Sequence, residues 1–378
     1  MILSKKIFFL SLIVLLFSLL LWGVYNLSFN KTGTPSASED PEEEVLPKTK
    51  ETAPSVMAVT DEAALSPVFT PDENGIKYYS RISGRVYQVD LDGKNKKTIA
   101  DKDLIGLSDI MWSPDKTKVI SKFNKADGVQ FFYYSYDENR GVPIKDNVDE
   151  IAWLGTGGRI FYKYYEPKTK ERSLNISDPD GINWQKLSDV THRNIVISPI
   201  PKTSLVSFWN KPDAFSETLL ESVPTVGGEK KTIFKEKFGA SYLWNKDGTS
   251  LLVSHTDVRG GSKLQLARLN SNGGEYRNLD APTFVEKCAW SKNGKTIYYA
   301  LPGGIPENAI LPNDYVEGKF NTADTFWKLD TTTGEKSRMI ELEELNGKFD
   351  ASNLFLNTDE SMLFFLNRID GKVYRLAL

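Results

Sequence analysis

Short runs of β-branched and aromatic residues alternate with polar turns along most of the chain, and from residue 63 onward the alternation repeats. Each unit offers an apolar strand ending in a large residue, then a turn, then a second strand. Asp109-Ile-Met-Trp112-Ser-Pro-Asp115 leads into Lys118-Val-Ile-Ser-Lys122, and Lys287-Cys-Ala-Trp290-Ser-Lys-Asn-Gly294 leads into Thr296-Ile-Tyr-Tyr299. The turn chemistry suits tight reversals: Pro presets φ, Asp or Asn closes an Asx turn, and Gly takes positive φ. Aligned on the large residue, the units fall at Phe69, Trp112, Trp153, Ile197, Trp244, Trp290 and Phe355, spaced by 43, 41, 44, 47, 46 and 65 residues. A second series of turns closes an outer hairpin, as at Asp90-Leu-Asp-Gly93, Asp178-Pro-Asp-Gly181 and Asn270-Ser-Asn-Gly273. Strand-only periods of about 40–50 residues predict propeller blades of four strands each. The fold class is therefore all-β, a seven-bladed β-propeller, with six blades as the alternative if the Ile197 unit is irregular.

The last unit runs out of chain after three strands. Ser55-Val-Met-Ala-Val-Thr60, just ahead of the first unit, is strand-like and otherwise unexplained. An open ring would leave two exposed sheet edges, so the propeller is assigned to residues 55–378, with 55–60 pairing onto the last blade.

The Trp112-Ser-Pro-Asp115 and Trp290-Ser-Lys-Asn-Gly294 turns resemble the repeat of TolB-type propellers. The same repeat builds the non-catalytic propeller of prolyl-oligopeptidase and dipeptidyl-peptidase-IV-like enzymes. The resemblance covers residues 63–378 and implies an extracytoplasmic role in binding protein partners. The units at Trp153, Ile197 and Phe355 depart from the pattern, with Leu-Gly-Thr-Gly-Gly, Ser-Pro-Ile-Pro and Leu-Asn-Thr-Asp in their turns.

The N-terminal pattern differs. Lys5 and Lys6 precede an uncharged apolar run from Ile7 to Val24, and the next charge is Lys31. About 20 such residues cross the ~30 Å hydrocarbon layer as a helix, and no small-x-small cleavage site ends the run. The expectation is a cytoplasmic tail at 1–6, a transmembrane signal anchor at 7–27 and an acidic, Pro-containing stalk at 28–54. The Lys pair places the N-terminus inside and the propeller on the extracytoplasmic side of a single-pass membrane protein.

Charge and composition then narrow the function. The 378 residues carry 47 Lys and Arg against 50 Asp and Glu. Residues 63–378 hold 42 of each sign, and this near-neutrality argues against a nucleic-acid partner. One Cys and two His exclude a disulfide scaffold and a Cys/His zinc module. The sequence has no Gly-x-Ser-x-Gly elbow and no phosphate-binding Gly-rich loop. No catalytic residue, cofactor or metal site is assigned. Cys288 reads as a buried thiol, and His192 and His255 as loop or strand-end residues. Trp112, Trp153, Trp244 and Trp290 share one repeated position and read as blade-to-blade core.

The 65-residue spacing locates an insertion between the second and third strands of the sixth unit, from Leu301 to Asp324. Long loops in compact domains carry function more often than short ones. Two readings stand: a plug packed over neighbouring blades, or a ligand-contacting lid. The candidate binding rim comprises Pro306, Asn313, Asp314, Tyr315 and Phe320 in the insertion, joined by Arg259, Lys211, Asp213 and Glu166 from hairpins on the same face. The expected function is non-enzymatic binding or scaffolding of a protein, peptide or glycan at the cell envelope. The alternatives are a carbohydrate-active hydrolase or lyase using channel carboxylates, or an accessory propeller of a separate peptidase.

Overall fold

A computed structural model describes residues 56–126 and 128–378. The tail, anchor and stalk assigned to 1–6, 7–27 and 28–54 lie outside the described residues. Among the described residues no helix is long and apolar enough to cross a membrane.

The protein is an all-β propeller. Antiparallel meanders follow one another along the chain: five four-stranded sheets and one sheet of seven strands. The first sheet contains Ala64–Phe69, Gly75–Ser80, Val86–Asp90 and Lys97–Ala100. The second contains Leu107–Trp112, Lys118–Lys125, Gly128–Ser135 and Arg140–Pro143. The seven-stranded sheet arises because one 14-residue strand, Lys231–Trp244, pairs with Glu217–Pro224 through its first half and with Ser250–Thr256 through its second. Glu236 and Gly239 take positive φ of 65° and 60° inside this strand, and they turn it from one partner to the next. A Cβ at Gly239 would collide with Pro312, so only glycine serves there.

First strands of successive sheets lie side by side, and the repeated tryptophans latch them. Trp112, Trp153, Trp244 and Trp290 are all buried. The indole N–H of Trp112 donates to the Ser66 carbonyl at 2.8 Å, that of Trp153 to the Met111 carbonyl at 2.8 Å, and that of Trp290 to the Leu243 carbonyl at 3.2 Å. Trp244 donates to Ser207 Oγ at 2.9 Å. The bonds of Trp112, Trp153 and Trp290 cross from one sheet to the one before it, and that of Trp244 joins two strands of the seven-stranded sheet. A tryptophan here supplies buried area and also satisfies an inner-strand acceptor.

The last sheet joins Val56–Ala58 to Val373–Ala377, Met362–Asn367 and Ala351–Leu356, so its outer strand comes from the start of the described chain. Val59 and Ala64 share a core with Phe364, Leu366 and Val373, which brings the first and last sheets together.

Candidate functional site

Hairpins joining the second and third strands of the sheets share one face, and the Leu301–Asp324 insertion lies across part of it. A hydrophobic knot anchors the insertion: Leu311, Ala309 and Tyr315 are buried with Leu264 and Phe284. The Tyr315 ring stacks on Phe284 at 4.5 Å, and the Arg368 guanidinium stands 3.9 Å from its centroid. Two neighbouring hairpins clamp the other side. Asn313 donates through Nδ2 to Asp213 at 3.1 Å and accepts the Ala214 N–H at 2.8 Å, and the Leu311 N–H donates to the Gly261 carbonyl at 3.0 Å.

Beneath the insertion lies a buried ionic cluster. The Lys287 ammonium donates to Asp324 at 2.6 Å, Asp350 at 2.7 Å, Thr322 at 3.1 Å and the Ala351 carbonyl at 2.8 Å. All three charged side chains are fully buried. The Tyr315 hydroxyl donates to Asp350 at 2.6 Å. Burial opposes ionisation of Asp350, but Lys287 and the hydroxyls of Tyr315 and Thr322 outweigh it and hold its carboxyl below the ordinary value. At Asp324 burial prevails and the carboxyl is raised. The insertion is therefore bolted to two first strands, as a plug would be.

Against the exposed flank of this plug lies a cavity of about 480 Å³, lined by His192, Arg193, Asn210, Lys211, Asp213 and Asn313 among others. A second polar cavity of about 820 Å³, containing Asp149, Tyr165 and Arg172, shares Arg193 as its boundary. Behind that boundary Lys163, 1 % exposed, pairs with Asp149 at 2.6 Å and donates to the Arg193 carbonyl. Backbone geometry at Arg193 is thus fixed while its side chain faces solvent.

The sequence-derived rim divides. Lys211, Asp213 and Asn313 come together in the smaller cavity. The Phe215 N–H and Asn313 lower the Asp213 carboxyl. Tyr315 is fully buried and Phe320 packs beside it, so both belong to the plug. Asp314 is occupied by the Ile310 N–H and Lys319. Pro306 only accepts the Ala309 N–H, Arg259 stands 6.0 Å from Phe215, and Glu166 stays within its own hairpin, bonded to Tyr164 and the Lys168 N–H. His192, Arg193 and Asn194 were missed because they lie between sheets, where no repeat position flags them. His255 donates to or accepts from the Tyr276 hydroxyl at 2.8 Å, and burial lowers its pKa. Cys288 is a free, buried thiol pushed up by desolvation. Among the described residues no group of three or more His, Cys, Asp or Glu could hold a metal ion.

Two carboxylates stand at equivalent places on adjacent first strands, Asp109 and Glu150. Desolvation raises both, although Asp109 is exposed and Glu150 half-buried; at Glu150 Lys122 opposes it, Asp149 and Asp109 add to it, and the carboxyl reaches about 7. The unfolded chain then releases this proton before the fold does, so Glu150 costs stability as pH rises from about 4.5 to about 7. Glu150→Gln is expected to flatten that slope and to stabilise the protein above pH 7 by roughly 1–2 kcal/mol. Melting temperature measured from pH 4 to 8 checks it; parallel curves for the two proteins would remove the assignment.

No protein-family model and no curated protein matches the chain. Solved structures do. An oligogalacturonate lyase in complex with manganese aligns with a TM-score of 0.60 at 13 % identity, covering 86 % of this chain and 92 % of that one. The tricorn protease aligns at 0.55 and 12 % identity over 90 % of this chain and 34 % of its own. TolB from Acinetobacter baumannii aligns at 0.46 and 14 % identity over 72 % of this chain and 62 % of its own. At such identities the lyase and tricorn alignments show the fold alone, and the β-propeller domain of the Trilobed protease from Pyrococcus furiosus, aligned at 0.53 and 11 % identity over 83 % of this chain and 93 % of its own, identifies that fold as a β-propeller.

Proposed function

We propose that the protein is a membrane-tethered, seven-bladed propeller that binds a polar partner, a peptide or glycan, on its hairpin face. The blade count follows from splitting the seven-stranded sheet at the bend in Lys231–Trp244, which makes that strand the outer strand of one blade and the inner strand of the next. The tether is the 7–27 segment, with the propeller extracytoplasmic. The observation that carries the binding reading is the pair of polar cavities meeting at Arg193 beside a rigid plug. Held walls bind at lower entropic cost than mobile ones, and the lining offers charges of both signs.

Arg193→Glu with Lys211→Glu reverses two charges on the cavity wall and leaves the core untouched. The expected result is recovery of the partner from native membranes reduced at least tenfold, with an unchanged melting temperature. Equal recovery by both proteins would overturn the site.

One observation favours a second reading, a carbohydrate hydrolase or lyase: the raised Asp109 and Glu150 pair on adjacent first strands. Glycoside hydrolases set two carboxyl groups about 5–9.5 Å apart. Turnover of an oligosaccharide that Glu150→Gln abolishes would establish it.

A further inference from the structure

We infer that the cleft between the first and second sheets is a binding site for a free organic carboxylate with an apolar body, such as a medium-chain fatty acid. The cavity there measures about 530 Å³.

Its origin is one small residue. Where the outer strand of a sheet gives way to the next sheet, a large aliphatic side chain fills the gap between them: Ile144 (2 % exposed), Val190 (5 %), Leu279 (3 %) and Ile340 (3 %). Each sits in the core shared with the following sheet. In the first sheet that place belongs to Ala100, paired with Val86 at the end of its strand and only partly buried, and the next aliphatic residue, Leu104, lies on the cavity wall and is likewise only partly buried. The missing methyl and methylene groups leave an opening, and aromatic rings border it. Phe123 and Phe132 meet edge to face at 5.4 Å, and Tyr134 and Tyr136 at 5.1 Å.

The hydroxyls of Tyr79, Tyr134 and Tyr136 make no demand on a ligand, and the fourth lining tyrosine, Tyr133, packs beside Trp153 in the core shared with the third sheet. Tyr79 and Tyr136 bond to each other at 2.7 Å, and Tyr134 donates to Asn139 at 2.7 Å. The walls therefore behave as apolar surface. The charges on the lining are of one sign, Lys102 and Lys125. Neither makes an ion pair among the described residues. Nearby Asp103 is already held by Arg85 at 2.7 Å, and the Lys125 ammonium rests 5.4 Å from the Phe132 centroid. An apolar slot with cationic residues on its lining selects an apolar chain bearing an anion. An alcohol of the same length gains only the slot, and an amine is repelled.

The test uses the full chain in lipid nanodiscs, titrated calorimetrically with decanoate, decanol and decylammonium. Partition into the lipid is subtracted with protein-free discs of the same composition. Wild type is expected to bind decanoate saturably, at least tenfold more tightly than decylammonium. Ala100→Leu should weaken decanoate binding at least tenfold while holding or raising the melting temperature. Lys102→Glu with Lys125→Glu should abolish the preference for the carboxylate. Identical isotherms for wild type and Ala100→Leu, or equal affinity for decanoate and decylammonium, would overturn the site.

Discussion

Replacing Lys287 with methionine is expected to cost the fold about 3–5 kcal/mol at pH 7, because it leaves buried Asp324 without a cation and buried Asp350 with only Arg368, 3.9 Å away. For a domain of this size that lowers the melting temperature by roughly 5–15 °C. The pH dependence distinguishes this cause from lost packing. In the wild type the Asp350 carboxyl is held below its ordinary value by Lys287 and its hydroxyl partners. Its contribution is complete above the unfolded carboxyl pKa and disappears as pH falls through the lower, folded one. Without Lys287 burial is opposed only by the hydroxyl partners and, at Asp350, by Arg368 at 3.9 Å, so both carboxyls rise, the sign reverses and the variant regains stability as pH falls from 7 toward 4. Adding Asp324→Asn and Asp350→Asn should restore most of the loss at pH 7, since a neutral set needs no counter-ion. A Lys287→Met protein that melts like the wild type at pH 7 would show that the cluster does not hold the plug.

The same cluster marks where sequence reading stops. Lys287 stands three residues before Trp290, the repeat position that Asp109 and Glu150 occupy before Trp112 and Trp153. Periodicity places it on a first strand and no more. Its partners lie 37 and 63 residues further on, in the insertion and in the next sheet. Nothing local encodes that convergence; it follows from ring geometry. The turns and the tryptophans, by contrast, were legible because each answers a short-range demand, a positive φ or a strand end, renewed every 41 to 47 residues through the regular units. The continuity of the Lys231–Trp244 strand leaves no mark in the repeat, since the chain bends there through Glu236 and Gly239 and changes partners along one strand. At the rim, the spacing found the insertion but not its inside and outside. Asn313 and Tyr315 are two residues apart, and the short helix Asn313–Val316 sends the first to the cavity and the second into the core.

Removing residues 55–60 is expected to unfold the ring as a unit. Val56, Met57 and Ala58 pair with Leu376, Arg375 and Tyr374, the Val59 N–H donates to the Val373 carbonyl at 2.8 Å, and Thr60 Oγ1 accepts the Val373 N–H at 3.0 Å. Val56 is buried against the preceding sheet's core, with Ala300, Phe326 and Ile340, and Val59 is buried against the first sheet. Two buried valines contribute about 1.5–3 kcal/mol each, and the severed ladder adds roughly 0.5–1.5 kcal/mol per bond. The two valines with the Val59 and Thr60 bonds sum to about 4–9 kcal/mol, comparable with the whole stability of a typical domain. The deletion also uncovers Val373–Ala377 as a bare edge, which invites pairing between copies. Two measurements separate these effects. The deletion variant should melt at least 10 °C lower, and it should run as dimers or larger species in size-exclusion chromatography. A synthetic peptide spanning 52–62, supplied in excess, should restore the monomer and raise the melting temperature in proportion to the logarithm of its concentration, because it binds only the folded ring. A deletion variant that stays monomeric and melts with the parent would mean that the ring holds without this strand, and that the contacts between the first and last sheets at Phe69, Phe355 and Phe364 suffice to close it.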